Sequence, residues 1–141
     1  MDGQEREGID VVAAAVIDRG RLLVVSKKSA PDLFYLPGGK PEPGESEEQT
    51  LARELKEELG AAPTGVSLLA RFEGVAALEG VPMRLAVFHA ALDQAPLAAA
   101  ELARLGWTDG ADEYVPLLAS AIRDQVVPLL KETGALTGSR P

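Results

Sequence analysis

The sequence predicts an α/β-class (α+β) domain, a mixed β-sheet with helices packed on it, and three observations carry that prediction. Apolar and β-branched runs bounded by turn residues come first, one strongly patterned helix follows, and then come further such runs and a second apolar-faced helix. The length of 141 residues fits one domain with a real core. A content of 46% hydrophobic and 26% charged residues is ordinary for a globular protein and needs no staple.

Taken in order, residues 1–8 read as a flexible tail, residues 9–133 as the domain and residues 134–141 as a second flexible tail. Ile9 to Ile17 reads as a buried strand, with Val11, Val12, Val16 and Ile17 supplying β-branched bulk. Asp18-Arg19-Gly20 is a turn signal, and Arg21 to Ser26 is the returning strand. Lys27 to Leu33 reads as a polar loop around Pro31. Phe34-Tyr35-Leu36 is a short apolar piece ending at Pro37-Gly38-Gly39, and Lys40 to Glu45, with Pro41, Pro43 and Gly44, is an irregular loop. Ser46 to Leu59 is the clearest helix. Ser46 and Gln49 form a capping-box pattern, Leu51, Leu55 and Leu59 make one apolar stripe, and Gly60 is a stop. Val66 to Ala77 and Met83 to Leu92 read as strands joined around Glu79-Gly80. Leu97 to Thr108 reads as a loop and then a strand ending near Trp107. Pro116 suits the first turn of a second helix whose apolar face is Val115, Leu118, Ala119, Ile122 and Val126, and Pro128 should kink or restart it.

Composition removes several kinds of chemistry. The chain has no cysteine, which excludes disulfides, thiol nucleophiles and cysteine-bound zinc, and its one histidine, His89, excludes a multi-histidine metal site within one chain. His89 lies in an apolar strand and reads as structural. The net charge is −8, and the only adjacent basic pair is Lys27-Lys28, so a nucleic-acid partner is not expected. No apolar run approaches the roughly 20 residues of a membrane span. Met1 to Asp10 lacks the apolar core of a secretory signal, so cytoplasmic residence is expected. No sequence pattern fixes an oligomeric state.

The helix at 46–59 carries Glu47, Glu48, Glu54, Glu57 and Glu58. At about 100° per residue, Glu54, Glu57 and Glu58 share one arc beside the leucine stripe. Carboxylates that close repel by roughly 0.2–0.5 kcal/mol per pair on an open surface, and by more beside a cleft. A hard cation such as Mg²⁺ is the natural remedy, since it takes carboxylate and phosphate oxygens. The plainer reading is a solvated acidic face with ion pairs such as Arg53–Glu57. The loop in front weighs against it. Gly38 and Gly39 permit close backbone approach, and Lys40 can meet a phosphate as a point charge. Gly39-Lys40 runs into Pro41, so the Walker pattern fails, and the G-x-G-x-x-G fingerprint is absent.

At this point residues 39–61 are recognisable. Gly39, Glu45, Arg53-Glu54-Leu55, Glu57-Glu58 and Gly60 resemble the Nudix box, G-x5-E-x7-R-E-U-x-E-E-x-G-U, where U is a bulky aliphatic residue. Only Ala61 departs, at a packing position. The resemblance implies an α/β/α sandwich with the mixed sheet between helices. It also implies hydrolysis of a nucleoside diphosphate linked to another moiety, by water attack at phosphorus. Carried over by position, Glu54, Glu57 and Glu58 are metal ligands together with the Gly38 carbonyl, and Glu54 or Glu57 helps deprotonate the water. Arg53 and Glu45 pair to hold the loop and orient Glu54, and Gly39 and Lys40 meet the substrate. Mg²⁺ is the implied cofactor, with Mn²⁺ as a substitute, and the implied partner is a small nucleotide-type substrate. Such a cation also lets an acidic protein bind an anion.

Outside the box, Glu101 is a candidate to approach the metal, against the plainer reading of a surface glutamate; Glu73 and Glu79 are weaker candidates. Trp107 could stack on a base but fits packing better. Phe34 and Tyr35 are candidates to line a nucleoside pocket, with packing at least as good a reading. Ala76, Ala77 and Leu78 stand where some subfamilies carry a substrate-marking proline or tyrosine, and the short single-domain form resembles MutT-type nucleoside triphosphate pyrophosphohydrolases. The rival class is a catalytically silent Nudix-like sensor or interaction module. Such domains usually show a broken box, and here the arginine and all the glutamates are intact.

Overall fold

A computed structural model describes residues 8–137 of the chain. Of the tail expected over residues 1–8, residues 1–7 lie outside that range.

The strands are β1 (Ile9–Ala15), β2 (Ile17–Asp18), β3 (Arg21–Lys27), β4 (Ala30–Tyr35), β5 (Gly38–Gly39), β6 (Pro63–Val75), β7 (Pro82–Leu92) and β8 (Leu102–Thr108). Helix α1 (Glu47–Leu59) joins β5 to β6. A 3₁₀ turn (Val115–Leu117) and a π-helical stretch (Ile122–Val126) lead into α2 (Val127–Glu132). One sheet runs β5-β1-β7-β6 and is mixed, with β1 parallel to β7 and the other pairs antiparallel. In the second sheet β3 pairs antiparallel with β8 along its length, with β2 at its start and with β4 at its end.

Alternation along β1 and β3 divides the core into two layers. Val12, Ala14, Val16, Leu23 and Val25 face Leu51, Leu55 and Leu59 of α1. Ala13, Ala15, Leu22 and Val24 face Phe34 and the C-terminal helical residues Ile122, Val126, Val127 and Leu130. The sheets thus lie between helices, as an α+β sandwich. The three α1 leucines are fully buried, at about 1.5–3 kcal/mol each, which fixes the helix face that carries the glutamates. Both halves of the capping box form: Gln49 N–H donates to Ser46 Oγ at 3.1 Å and Ser46 N–H to Gln49 Oε1 at 2.9 Å. Gly60 ends the helix at φ 68°. Ala61 is buried, so the box's departure sits in packing.

Three expectations need correction, and one is met. The loop expected at Lys27 to Leu33 is mostly strand: β3 turns at Lys28-Ser29 into β4, and Pro31 is tolerated because the β3–β4 register shifts between Val25 and Lys27. Pro116 opens only the 3₁₀ turn. Leu118 is drawn into extended backbone by a bridge to Phe34, the Ala119 N–H donates to the Phe34 carbonyl at 2.8 Å, and continuous helix begins at residue 120. Pro128 restarts the helix as expected: it falls in the first turn of α2, after a widened turn that closes from the Val127 N–H to the Ile122 carbonyl. A wider turn relieves the clash a proline ring makes with the carbonyl four residues back. The tail expected from residue 134 is packed as far as Thr137. Leu136 is buried, and the Thr137 N–H donates to the Gly20 carbonyl, because the strand end at Gly20 offers it an acceptor. Residues 138–141 lie outside the described residues.

Candidate active site

Two glycines bring the box loop against helix α1. Gly38 and Gly39 pair with Ala13 and Val12 of β1. Gly38 has φ 150°, and a Cβ there would stand 2.1 Å from the Val12 carbonyl oxygen. A Cβ on Gly39 would stand 2.4 Å from the Glu54 carboxyl carbon. The space a side chain would fill is taken by a carboxylate.

Arg53 organises the outer side of this corner. Its Nε donates to Glu45 Oε2 at 2.6 Å and one terminal nitrogen to Glu45 Oε1 at 2.9 Å, a two-point grip on the carboxylate. The same nitrogen reaches the Lys40 carbonyl at 3.1 Å, and the other donates to Glu54 Oε2 at 2.9 Å. Glu45 in turn accepts from the Glu42 N–H and the Thr50 hydroxyl. Arg53 beside it, with the Glu42 N–H, holds the Glu45 carboxyl down at about 2. The structure therefore brings Glu45, Arg53 and Glu54 into one network that ties the 40–46 loop to the helix.

Glu58 stands on the inner side. Its Oε1 accepts from the Gly38 N–H at 3.2 Å. Burial, and then the Glu54 charge beside it, push Glu58 up to about 8, against small opposing effects from Gly38 and Lys27. Two carboxylates are thus held together in a largely desolvated corner, and without a cation a proton separates them. Glu57 is not brought in. It is 57% exposed and, among the described residues, pairs with Arg53 at 3.9 Å. Among the described residues no three acidic or imidazole side chains close around one point. Glu101 is 78% exposed, pairs with Lys27 at 3.6 Å and stands outside the Glu54–Glu58 pair.

A cavity opens beside Gly38 and Gly39. Its wall is mostly apolar, built from β1, the β6–β7 turn, Met83, Leu85 and the start of the C-terminal helical run, with Lys27, Tyr35, Lys40 and Glu79 as its polar members. Lys40 and Glu79 pair across it at 3.4 Å. Phe34 is fully buried in the core, whereas its neighbour Tyr35 lines the cavity. Trp107 packs against the α1 layer and lines a separate surface cleft with Asp18, Arg19 and Arg21. His89 and Glu73 do not line the cavity; the Glu73 carbonyl accepts from Gln125. Lys27 also lines the cavity, and the sequence marks it only as part of the adjacent basic pair Lys27-Lys28.

The chain matches the NUDIX domain over residues 8–130. It is 33% identical to the CTP pyrophosphohydrolase of Escherichia coli (strain K12) over 136 residues, covering 94% of this chain and 96% of that protein. Among solved structures, the E. coli ORF135 protein superposes with a TM-score of 0.67 at 31% identity, covering 94% of this chain and 93% of that one. The MutT NUDIX hydrolase from Burkholderia pseudomallei superposes with a TM-score of 0.66 at 26% identity, covering 88% and 95%.

Proposed function

The chain belongs to the NUDIX family, as a hydrolase acting on phosphoric anhydride bonds, and from that premise we propose that it is a divalent-metal-dependent pyrophosphohydrolase of nucleoside triphosphates. CTP is the first candidate substrate, because a CTP pyrophosphohydrolase is similar along nearly the whole chain. The reading is carried by one arrangement: Glu54 and Glu58 held together against Gly38 and Gly39, at the edge of a cavity that also presents Lys40.

The corner fits a hard cation. Its donors are all oxygen, glycine backbone leaves room for Glu54, and the burial that makes Glu58 hold a proton equally favours a positive ion in its place. Glu54, Glu58 and the Gly38 carbonyl would hold Mg²⁺ or Mn²⁺, with Glu57 joining by a side-chain rotation. When bound, the ion supplies charge stabilisation to the phosphates and a more acidic water. Lys40 draws the polyphosphate toward the corner, and Arg53, gripped by Glu45, keeps Glu54 in one orientation by its direct hydrogen bond. Glu54 or Glu57 takes the proton from a water that attacks the α-phosphorus. The bond from that phosphorus to the bridging oxygen breaks, and the products are nucleoside monophosphate and pyrophosphate. Positioning and fixed charges supply most of the rate in this chemistry.

The test is a panel of nucleoside triphosphates and diphosphate-linked nucleosides with Mg²⁺ and with Mn²⁺. Turnover of CTP to CMP and pyrophosphate, lost on chelation, is the expected result. No turnover of any panel member with either ion would defeat the proposal and favour a silent nucleotide sensor.

A further inference from the structure

We propose that the Tyr35 hydroxyl donates a hydrogen bond to a phosphate oxygen of the substrate. The inference rests on the hydrolase reading above and adds a residue outside the box to its substrate site.

Successive side chains of β4 point to opposite faces. Phe34 goes into the core, and Tyr35 goes to the cavity beside Gly38. The Tyr35 hydroxyl is buried and has no hydrogen-bond partner among the described residues. Native structures rarely leave a buried donor without an acceptor, and where they do a ligand is a natural explanation. Burial, and then the charges of Glu58, Glu101 and Glu79, raise the ionisation of this phenol well above the ordinary tyrosine value, so it stays protonated and remains a donor. The other polar side chains lining the cavity are Lys27, Lys40 and Glu79, and the Glu79 carboxylate is taken up by its ion pair with Lys40. Two ammonium groups and a phenol are all donors. That set suits a chain of phosphate oxygens, which only accept, and suits poorly a nucleobase edge, which mixes donors with acceptors. The remaining wall, with Val11, Met83, Leu85 and Ile122, is apolar and suits the nucleoside end.

The deciding variant is Tyr35→Phe, which removes the hydroxyl and keeps the ring. It is assayed with Mg²⁺ on CTP, UTP, ATP and GTP, alongside its melting temperature without nucleotide and the rise in melting temperature given by an α,β-methylene nucleoside triphosphate. The expected loss in kcat/KM is about tenfold to a hundredfold, the worth of a hydrogen bond to a charged group, and by the same factor for every base. The ligand-free melting temperature should hold or rise, and the analogue-induced rise should shrink. The proposal is overturned by unchanged kcat/KM, by a loss that differs between bases, which would make the hydroxyl a base reader, or by a fall in the ligand-free melting temperature, which would make it a structural group. If the wild-type protein turns over none of the four, the nucleoside triphosphate reading fails. The analogue-induced shift, compared between wild type and variant, then still decides the Tyr35 contact: a smaller shift in the variant supports it, and an equal or absent shift in both removes it.

Discussion

The two sides of Gly38-Gly39 are built on opposite principles. On the outer side, Glu45, Arg53 and Glu54 are mutually partnered, so the loop is locked before any ligand arrives. On the inner side, Glu58 is desolvated beside a like charge, and the Tyr35 hydroxyl has no acceptor among the described residues. The outer side stabilises the fold, while the inner side is strained until something positive and something with free oxygen lone pairs come in. A candidate site supported in this way needs little rearrangement on binding, because the rigid half already holds the geometry of the other.

The largest effect is expected where the inner side is neutralised. Glu58→Gln should lower turnover by roughly a thousandfold or more, on the scale of losing a catalytic electrostatic group. The metal-free variant should melt close to the wild type near neutral pH, where Glu58 is already protonated, and above it at about pH 9, where a desolvated charge has been removed. Equal turnover, with the fold intact by circular dichroism, would dissolve the contrast between the two sides.

Gly39→Ala comes next. The nearest atoms to its Cβ would be those of the Glu54 carboxylate, the far end of a flexible side chain, so stability should change little beyond the strained Arg53–Glu54 contact. Displacing that carboxylate by about an ångström should cost on the order of a hundredfold in kcat/KM. Gly38→Ala is the control, because its Cβ meets fixed β1 backbone and should lower the melting temperature as well. If the two variants behaved alike, the glycines would serve only the strand pairing.

A smaller effect separates the sides by pH. Glu58 is raised from 4.5 to about 8. Its neutral form therefore adds stability that is complete below about 4.5 and is lost as pH rises through about 8. A cation needs the carboxylate form, so apparent Mg²⁺ affinity should climb toward pH 8, by up to about tenfold per unit, and level off above. Melting curves at several Mg²⁺ concentrations and pH values check this, and a flat affinity below pH 8 would contradict it. Glu45 has the opposite sign. Depressed to about 2 from 4.5, its pairing with Arg53 is present above about 4.5 and is lost as pH falls toward 2. Glu45→Gln should lower the melting temperature by a few degrees near neutral pH and flatten its acid dependence.

The outer side was the more legible of the two in the sequence, and the reason is distance along the chain. Ser46 and Gln49, the leucine stripe, and Glu45 with Arg53 lie within one loop and one helix, where spacing alone sets which side chains meet. The inner cavity draws Lys27, Tyr35, Lys40 and Glu79 from separate strand ends and turns, and no local period records that convergence. The same cause underlies the misread helix start, since Leu118 is captured by Phe34 across the fold. It also underlies the expected tail, since Leu136 packs among core residues that are distant along the chain.

The most direct test of the Glu54–Glu58 corner as the catalytic metal centre is Mn²⁺ binding followed by electron paramagnetic resonance in wild type and Glu58→Gln. The free-ion signal should disappear on titration into the wild-type protein and persist with the folded variant. Equal binding by both would place the ion elsewhere and remove the central claim.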